Sequence, residues 1–160
     1  MHPIQMNAVA VFDSKDVKGH TTFTDSPKGV IVRARFLILP PGEHGFHIHS
    51  HGDLRAPGCA GACAHFHKGP AADHGGAPGS HPRHTGDLGN IRSNIDYKWK
   101  IPNLRVSELY GRSLIVHADP DDLGKGEWPD SKTTGHSGAR IACAIIGRVS
   151  TRKTRRVHRR

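Results

Sequence analysis

Apolar and polar residues alternate along several stretches of this chain, and a period of two marks strands whose two faces meet different surroundings. In residues 30–38, Val30, Val32, Ala34, Phe36 and Ile38 fall on one face, while Arg33 and Arg35 point away. In residues 91–100, Ile91, Ile95, Tyr97 and Trp99 share one face, and Arg92, Asn94, Asp96, Lys98 and Lys100 the other. Such strands belong to an antiparallel sheet with one covered side. Further strands are predicted over 5–12, 18–24, 45–50, 112–118 and 140–149, separated by turn clusters such as Asp25-Ser26-Pro27-Lys28-Gly29 and Pro40-Pro41-Gly42. Short strands with no helical periodicity predict an all-β fold, an eight-stranded Greek-key β-sandwich or flattened barrel. Two connections, 51–85 and 119–139, are too long for simple turns and rich in charged or ligating side chains, so both are read as functional loops.

Composition supports this picture and bounds it. At 160 residues the chain suits one hydrophobic core, and 35% hydrophobic content with 19 glycines and 11 prolines favours short strands and loops over packed helices. The net charge of +9 is concentrated at the end: residues 151–160 hold six Lys and Arg and no acidic residue, leaving +3 on the rest. The domain is therefore expected over 1–150, followed by a basic tail at 151–160 that self-repulsion keeps solvated and disordered. That tail also offers sequence-independent attraction to nucleic acid, anionic lipid or another polyanion. No apolar run approaches membrane-spanning length and the first residues lack the pattern of a signal peptide, so a cytoplasmic location with no membrane partner is expected. The three cysteines, Cys59, Cys63 and Cys143, permit at most one internal bridge.

Histidine changes the reading most. Nine of the 14 histidines lie between His44 and His84. His47 and His49 sit on the same face of a predicted strand whose other face carries Phe46 and Ile48, an arrangement made for chelation. His117 closes the apolar run Leu114-Ile115-Val116. The first long loop offers His65, His74, His84 and Asp87, three imidazoles and one carboxylate, which is a full set for tetrahedral zinc. Spacing leaves His67 and His81 open as substitutes, and Cys59 and Cys63 with His65 and His67 open as a small zinc knuckle. For Cys59 and Cys143, 84 positions apart, two free thiols and a bridge are both open readings. Arg140, three residues before Cys143, is a guanidinium suited to a small anion if the chain holds it near the first loop.

Taken together, these residues resemble the copper/zinc superoxide dismutase family. Gly45-Phe46-His47-Ile48-His49 looks like its copper-binding segment and Gly135-His136-Ser137-Gly138-Ala139-Arg140-Ile141-Ala142-Cys143 like its second signature. Gly86-Asp87-Leu88-Gly89-Asn90 and Asp121-Asp122-Leu123-Gly124-Lys125-Gly126 are similar as well, so the resemblance spans about residues 5–150. It implies copper on His47, His49, His65 and His117, zinc on His65, His74, His84 and Asp87, and His65 as the bridge between them. It further implies a Cys59–Cys143 disulfide, Asp121 linking His47 to His74, and catalytic roles for Arg140, which guides superoxide, and His65, which supplies a proton. The implied activity is the conversion of superoxide to oxygen and peroxide by alternate reduction and oxidation of copper, in a homodimer. The alternative is a copper-buffering or chaperone-like protein on the same fold. Pro129 and Thr133 stand where charged residues are common in the family, which shifts substrate guidance to Arg140 and Lys132. Because no proline flanks Arg140, the resemblance also implies disulfide formation without the copper chaperone.

Overall fold

A computed structural model describes residues 7–150. Among these, nine strands form two antiparallel sheets, and neither sheet closes into a barrel. The strands are β1 (Asn7–Asp13), β2 (Lys18–Ser26), β3 (Gly29–Ile38), β4 (His44–His49), β5 (Asp87–Ile91), β6 (Tyr97–Pro102), β7 (Ser113–His117), β8 (Arg140–Ile145) and β9 (Gly147–Arg148). One sheet has the order β6-β3-β2-β1-β9 and the other β5-β4-β7-β8. The remaining regular structure is one turn of helix, α1 (Ser131–Thr134), and two 3-10 turns at Pro57–Ala62 and Val106–Glu108. None of these helices is long and apolar enough to cross a membrane.

The alternation seen in the sequence sets which side chains enter the core. Ala8, Ala10 and Phe12 of β1, Val30, Val32, Ala34 and Phe36 of β3, and Phe46 and Ile48 of β4 all lie in one buried cluster with Leu114 and Val116 of β7. The two sheets meet through rings: Phe36 packs on Phe12 at 5.3 Å and edge-on against Phe46 at 5.5 Å, and Phe46 reaches Trp99 at 6.1 Å. Each of the buried rings Phe12, Phe36 and Phe46 contributes roughly 1.5–3 kcal/mol of transfer free energy. The outer faces then differ. The five-stranded sheet leaves Arg33, Arg35 and Leu37 exposed, whereas β4 and β7 are buried along their whole length because the long loops cover them.

Two expected strands divide. Residues 91–100 form no single strand: β5 ends at Ile91 in one sheet and β6 begins at Tyr97 in the other, with Asn94 turning the chain at a φ of 61°. Asn tolerates that left-handed conformation better than most residues. Residues 140–149 likewise split into β8 and β9, which belong to different sheets, and the two divisions turn the seven strands located in the sequence into the nine observed, where an eight-stranded sandwich was expected. The first two residues of the strand expected at 5–12, and the basic tail at 151–160, lie outside the described residues.

Candidate metal centre

β4 and β7 set out the centre. With Phe46 and Ile48 in the core, His47 and His49 project from the opposite face, and their register places them across from Ile115 and Ser113 of β7. A bulge between Val116 and His117 interrupts the ladder where β7 meets Arg140 of β8. Gly45 is required beside this bulge, since a Cβ there would stand 2.5 Å from Ser137 Oγ and 3.3 Å from the His47 ring. The first long loop is stitched onto β4 by backbone bonds from Phe66 N to Ile48 O at 2.7 Å and from Ser50 N to Ala64 O at 2.9 Å. His65 is thereby brought over the sheet, 4.0 Å from His47 between ring centroids and 4.9 Å from His49.

Two groups of ligand atoms result, each with its members within 4.8 Å of one another: His47, His49, His65 and His117, and His47, His65, His74 and Asp87. His84 stands at the edge of the second group, its Nδ1 3.5 Å from Asp87 Oδ1, against 2.9 Å for His65 Nδ1 and 3.0 Å for His74 Nδ1. His67 and His81 belong to neither group. His67 is already occupied, its Nε2–H donating to Pro70 O at 2.6 Å and its Nδ1 accepting from Thr85 N at 3.1 Å. The zinc-knuckle reading falls because Cys59 is bonded to Cys143, leaving Cys63 as an exposed free thiol.

The decisive feature is how the ring nitrogens are used. One nitrogen of each strand histidine is anchored: His47 Nε2–H donates to Asp121 Oδ2 at 2.6 Å, His49 Nδ1–H to Cys63 O at 2.8 Å and His117 Nδ1–H to Gly138 O at 3.1 Å. Asp121 also accepts from His74 Nε2–H at 2.8 Å, and so ties the two groups together. The opposite nitrogens, His47 Nδ1, His49 Nε2, His65 Nε2, His74 Nδ1, His84 Nδ1 and His117 Nε2, are buried and have no hydrogen-bond partner. Buried ring nitrogens gathered without hydrogen-bond partners would cost the fold dearly unless cations filled the space between them. The residues therefore fit metal ions. Around Asp87 Oδ1 the spacings of 2.9, 3.0 and 3.5 Å bracket the edge of about 3.3 Å that a tetrahedron with 2.0 Å zinc bonds would have.

Electrostatics agree with this division. Burial, assisted by neighbouring imidazoles, lowers His47 well below its ordinary value, takes His49 down to about 2 and His117 to about 4, so these rings offer lone pairs instead of charge. Burial works against a charge on His74 too, but the carboxylates of Asp121 and Asp87 outweigh it and raise this group to about 9. Burial likewise opposes ionisation of Asp87, yet His65, His74 and His84 hold it well below the carboxylate range. Its Oδ2 is fixed by Gly75 N at 3.0 Å and His84 N at 2.7 Å.

Arg140 is steered by backbone: Nη1 donates to Cys59 O at 2.9 Å and Nη2 to Cys63 O at 2.7 Å. The disulfide keeps that turn in place, together with a small buried cluster of Cys59, Ala62 and Ile115. Lys132 lines a cavity of about 520 Å³ beside His74, with Asp73 and His81. Sequence reasoning missed Asn90, which clamps Asp121 through Nδ2–H to Asp121 O at 2.9 Å and through its Oδ1 accepting from Asp121 N at 2.7 Å. It also missed Gly135, at a φ of 72°, where any Cβ would collide with the Asp121 carboxylate and the His74 ring. Both lie inside the quoted motifs, but nothing local distinguishes them from turn residues.

A sequence model of the copper/zinc superoxide dismutase family matches residues 17–146, which takes in every residue of the two groups. The chain belongs to that family. Its activity is the dismutation of superoxide, and its cofactors are copper and zinc. Among solved structures, the dismutase is similar to the crystal structure of the clock protein EA4, with 38% identity, a TM-score of 0.79, and coverage of 93% of this chain and 100% of the other.

Proposed function

We propose that copper is held by His47, His49, His65 and His117, and zinc by His65, His74, His84 and Asp87, with His65 shared between them. The observation that carries this reading is the set of unpartnered nitrogens, which on His47, His49, His65, His74 and His117 lie opposite an anchored one. Imidazoles oriented in this way are the usual means by which a protein fixes ring tautomer and ligand basicity. Copper, when bound, supplies one-electron redox chemistry, and zinc a fixed positive charge without redox activity.

The chain's own residues do the rest. Arg140, with two of its N–H groups given to the carbonyls of Cys59 and Cys63, keeps others for superoxide and aligns the anion beside His49 and His117. His65 Nε2 carries a proton to the reduced oxygen species that leaves as peroxide, while Asp87 beside Nδ1 holds the ring in place. Asp121 keeps His47 and His74 in register, so the redox site and its neighbour move as one body. We also propose a homodimer, supported by exposed apolar side chains on the last strands and beyond, with Ile145 48% and Val149 41% exposed. Sedimentation at micromolar protein should give twice the monomer mass.

The test of the enzyme is reconstitution of the metal-free chain with one equivalent each of copper and zinc, followed by superoxide consumption, alongside Arg140→Ala. Full activity with both metals, and about a tenfold lower rate with weaker salt dependence in the variant, is the expected result. Stoichiometric binding of both metals without any dismutation would remove the catalytic reading and leave metal buffering in its place.

A further inference from the structure

The outer face of the five-stranded sheet lies on the opposite side of the sandwich from the metal centre, and its charges are arranged unusually. Arg33 of β3 stands directly across from Lys98 of β6, and Lys100 follows one step along, across from Ile31. All three cations are exposed. Like charges facing each other across a ladder destabilise it. Asp96 on this strip is taken by Arg35 at 2.9 Å, and Asp13, beside Val11 on the same face, is paired with Lys18 at 3.4 Å. His20 pairs with Arg35 on the neighbouring strand and extends the basic strip toward Val11 and Leu37, which are 60% and 57% exposed.

We propose that this face docks onto an anionic phospholipid bilayer. Charge complementarity gives the sign of the partner, since Arg33, Lys98 and Lys100 face outward with no neutralising neighbour on the strip. The shape of the surface gives its class. A pleated sheet face presents its cations in rows about 6.7 Å apart along each strand and about 5 Å between strands, as a flat array suits many headgroups at once. Val11 and Leu37 add apolar side chains that can enter the interface beside those cations. Tyr97 and Trp99 turn inward against the core, so the face has no aromatic platform on which single-stranded nucleic acid could stack. It also has no helix or ribbon standing out to enter a duplex groove. Docking this way leaves the four-stranded sheet, whose strands carry His49, His117 and Arg140, on the side turned toward water.

The experiment is co-sedimentation of the full metal-loaded chain with vesicles of phosphatidylcholine containing phosphatidylserine, and with phosphatidylcholine alone. The wild type should bind the anionic vesicles, weaken with added salt, and ignore the neutral ones. The variant Arg33→Gln/Lys98→Gln/Lys100→Gln should lose about a hundredfold in partitioning, on the scale of one cation per factor of about five. Its dismutation rate should be unchanged, which certifies its fold, and Lys98→Gln alone should give a proportionate loss if the triple variant is unstable. The basic residues of 151–160 are common to both proteins and cancel in the comparison. Wild-type-like binding by the folded variant overturns the proposal, as does failure of the wild type to bind. Loss of heparin or duplex DNA binding with vesicle binding intact also overturns it and assigns the face to a different polyanion.

Discussion

β4 and β7 bury every residue they contain, whereas β3 buries Val30, Val32, Ala34 and Phe36 and leaves Arg33, Arg35 and Leu37 in solvent. In sequence β4 and residues 32–36 of β3 read alike, with an apolar residue at every second position and a polar or basic one between, while β7 carries the unbroken apolar run Leu114-Ile115-Val116. The difference comes from what lies above the sheet. Residues 50–86 and 118–139 fold over the four-stranded sheet and exclude water from its outer face, while no segment of the described chain covers the other. A polar side chain under a loop must find partners, and a polar side chain on an open face need not. Buried imidazoles with one unused nitrogen thus point to metal, where exposed arginines on the equivalent face of β3 point only to solvent or to a docking surface.

The contrast is broken most directly by removing a covered histidine. His117→Ala deletes one of the four nitrogens around the proposed copper position, and activity should fall below about 1% of wild type, beyond the 10- to 100-fold loss typical of changing a supporting partner. Copper titration of the apoprotein, monitored by its visible absorption, should show an altered site while zinc binding persists. An active His117→Ala protein would show that the covered face does not need its full set of imidazoles.

The cover itself is the next target. Cys143→Ser opens a disulfide that closes a loop over 84 positions, and its removal should cost about 4–5 kcal/mol in denaturant unfolding of the reconstituted protein. The turn at Pro57–Ala62 then loses its tie to β8, and with it the two carbonyls that hold Arg140. Salt dependence of the rate should therefore flatten as stability drops. A stable variant with unchanged salt dependence would mean that the small cluster of Cys59, Ala62 and Ile115 holds the loop without the bridge.

Asp121→Asn sharpens the comparison at the level of one hydrogen bond. The carboxylate accepts from His47 and from His74, and an amide can accept through its oxygen only while its NH₂ faces the second ring's N–H. Zinc affinity should fall 10- to 100-fold, measured by competition with a chelator, with a smaller fall in dismutation. Equal affinity in the variant would show that the loop backbone alone places His74.

How far the sequence discloses this arrangement depends on the element. His47 and His49 were readable because strands alternate, so a histidine two residues from another on a half-apolar strand must share its face, and His117 because it ends the apolar run of β7. His65, His74, His84 and Asp87 were not readable from loop spacing, which left His67 and His81 as equals; the resemblance singled them out. The structure supplies the physical distinction, since both His67 nitrogens already have backbone partners. The strand misreading at 91–100 has a similar origin. Ile91, Ile95, Tyr97 and Trp99 keep the parity of one strand through a turn at Asn94, and period two carries no information on when a chain changes sheets.

The smallest predicted effect lies where the cover touches the site. Cys63 has φ 65° and ψ −148°, a backbone region that only glycine enters freely, and its carbonyl receives both His49 Nδ1–H and Arg140 Nη2–H. Strain of this kind costs on the order of 1–3 kcal/mol, and glycine gives back roughly 0.5–1 kcal/mol through the freedom it loses on folding. Cys63→Gly should accordingly stabilise the protein by about 1 kcal/mol with the dismutation rate preserved, while Cys63→Ala, which keeps the Cβ, should not. Denaturant midpoints of the three proteins decide the matter. If Gly and Ala variants unfold together, the conformation at 63 carries no strain, and the two hydrogen bonds to its carbonyl are held by the disulfide-bonded turn alone.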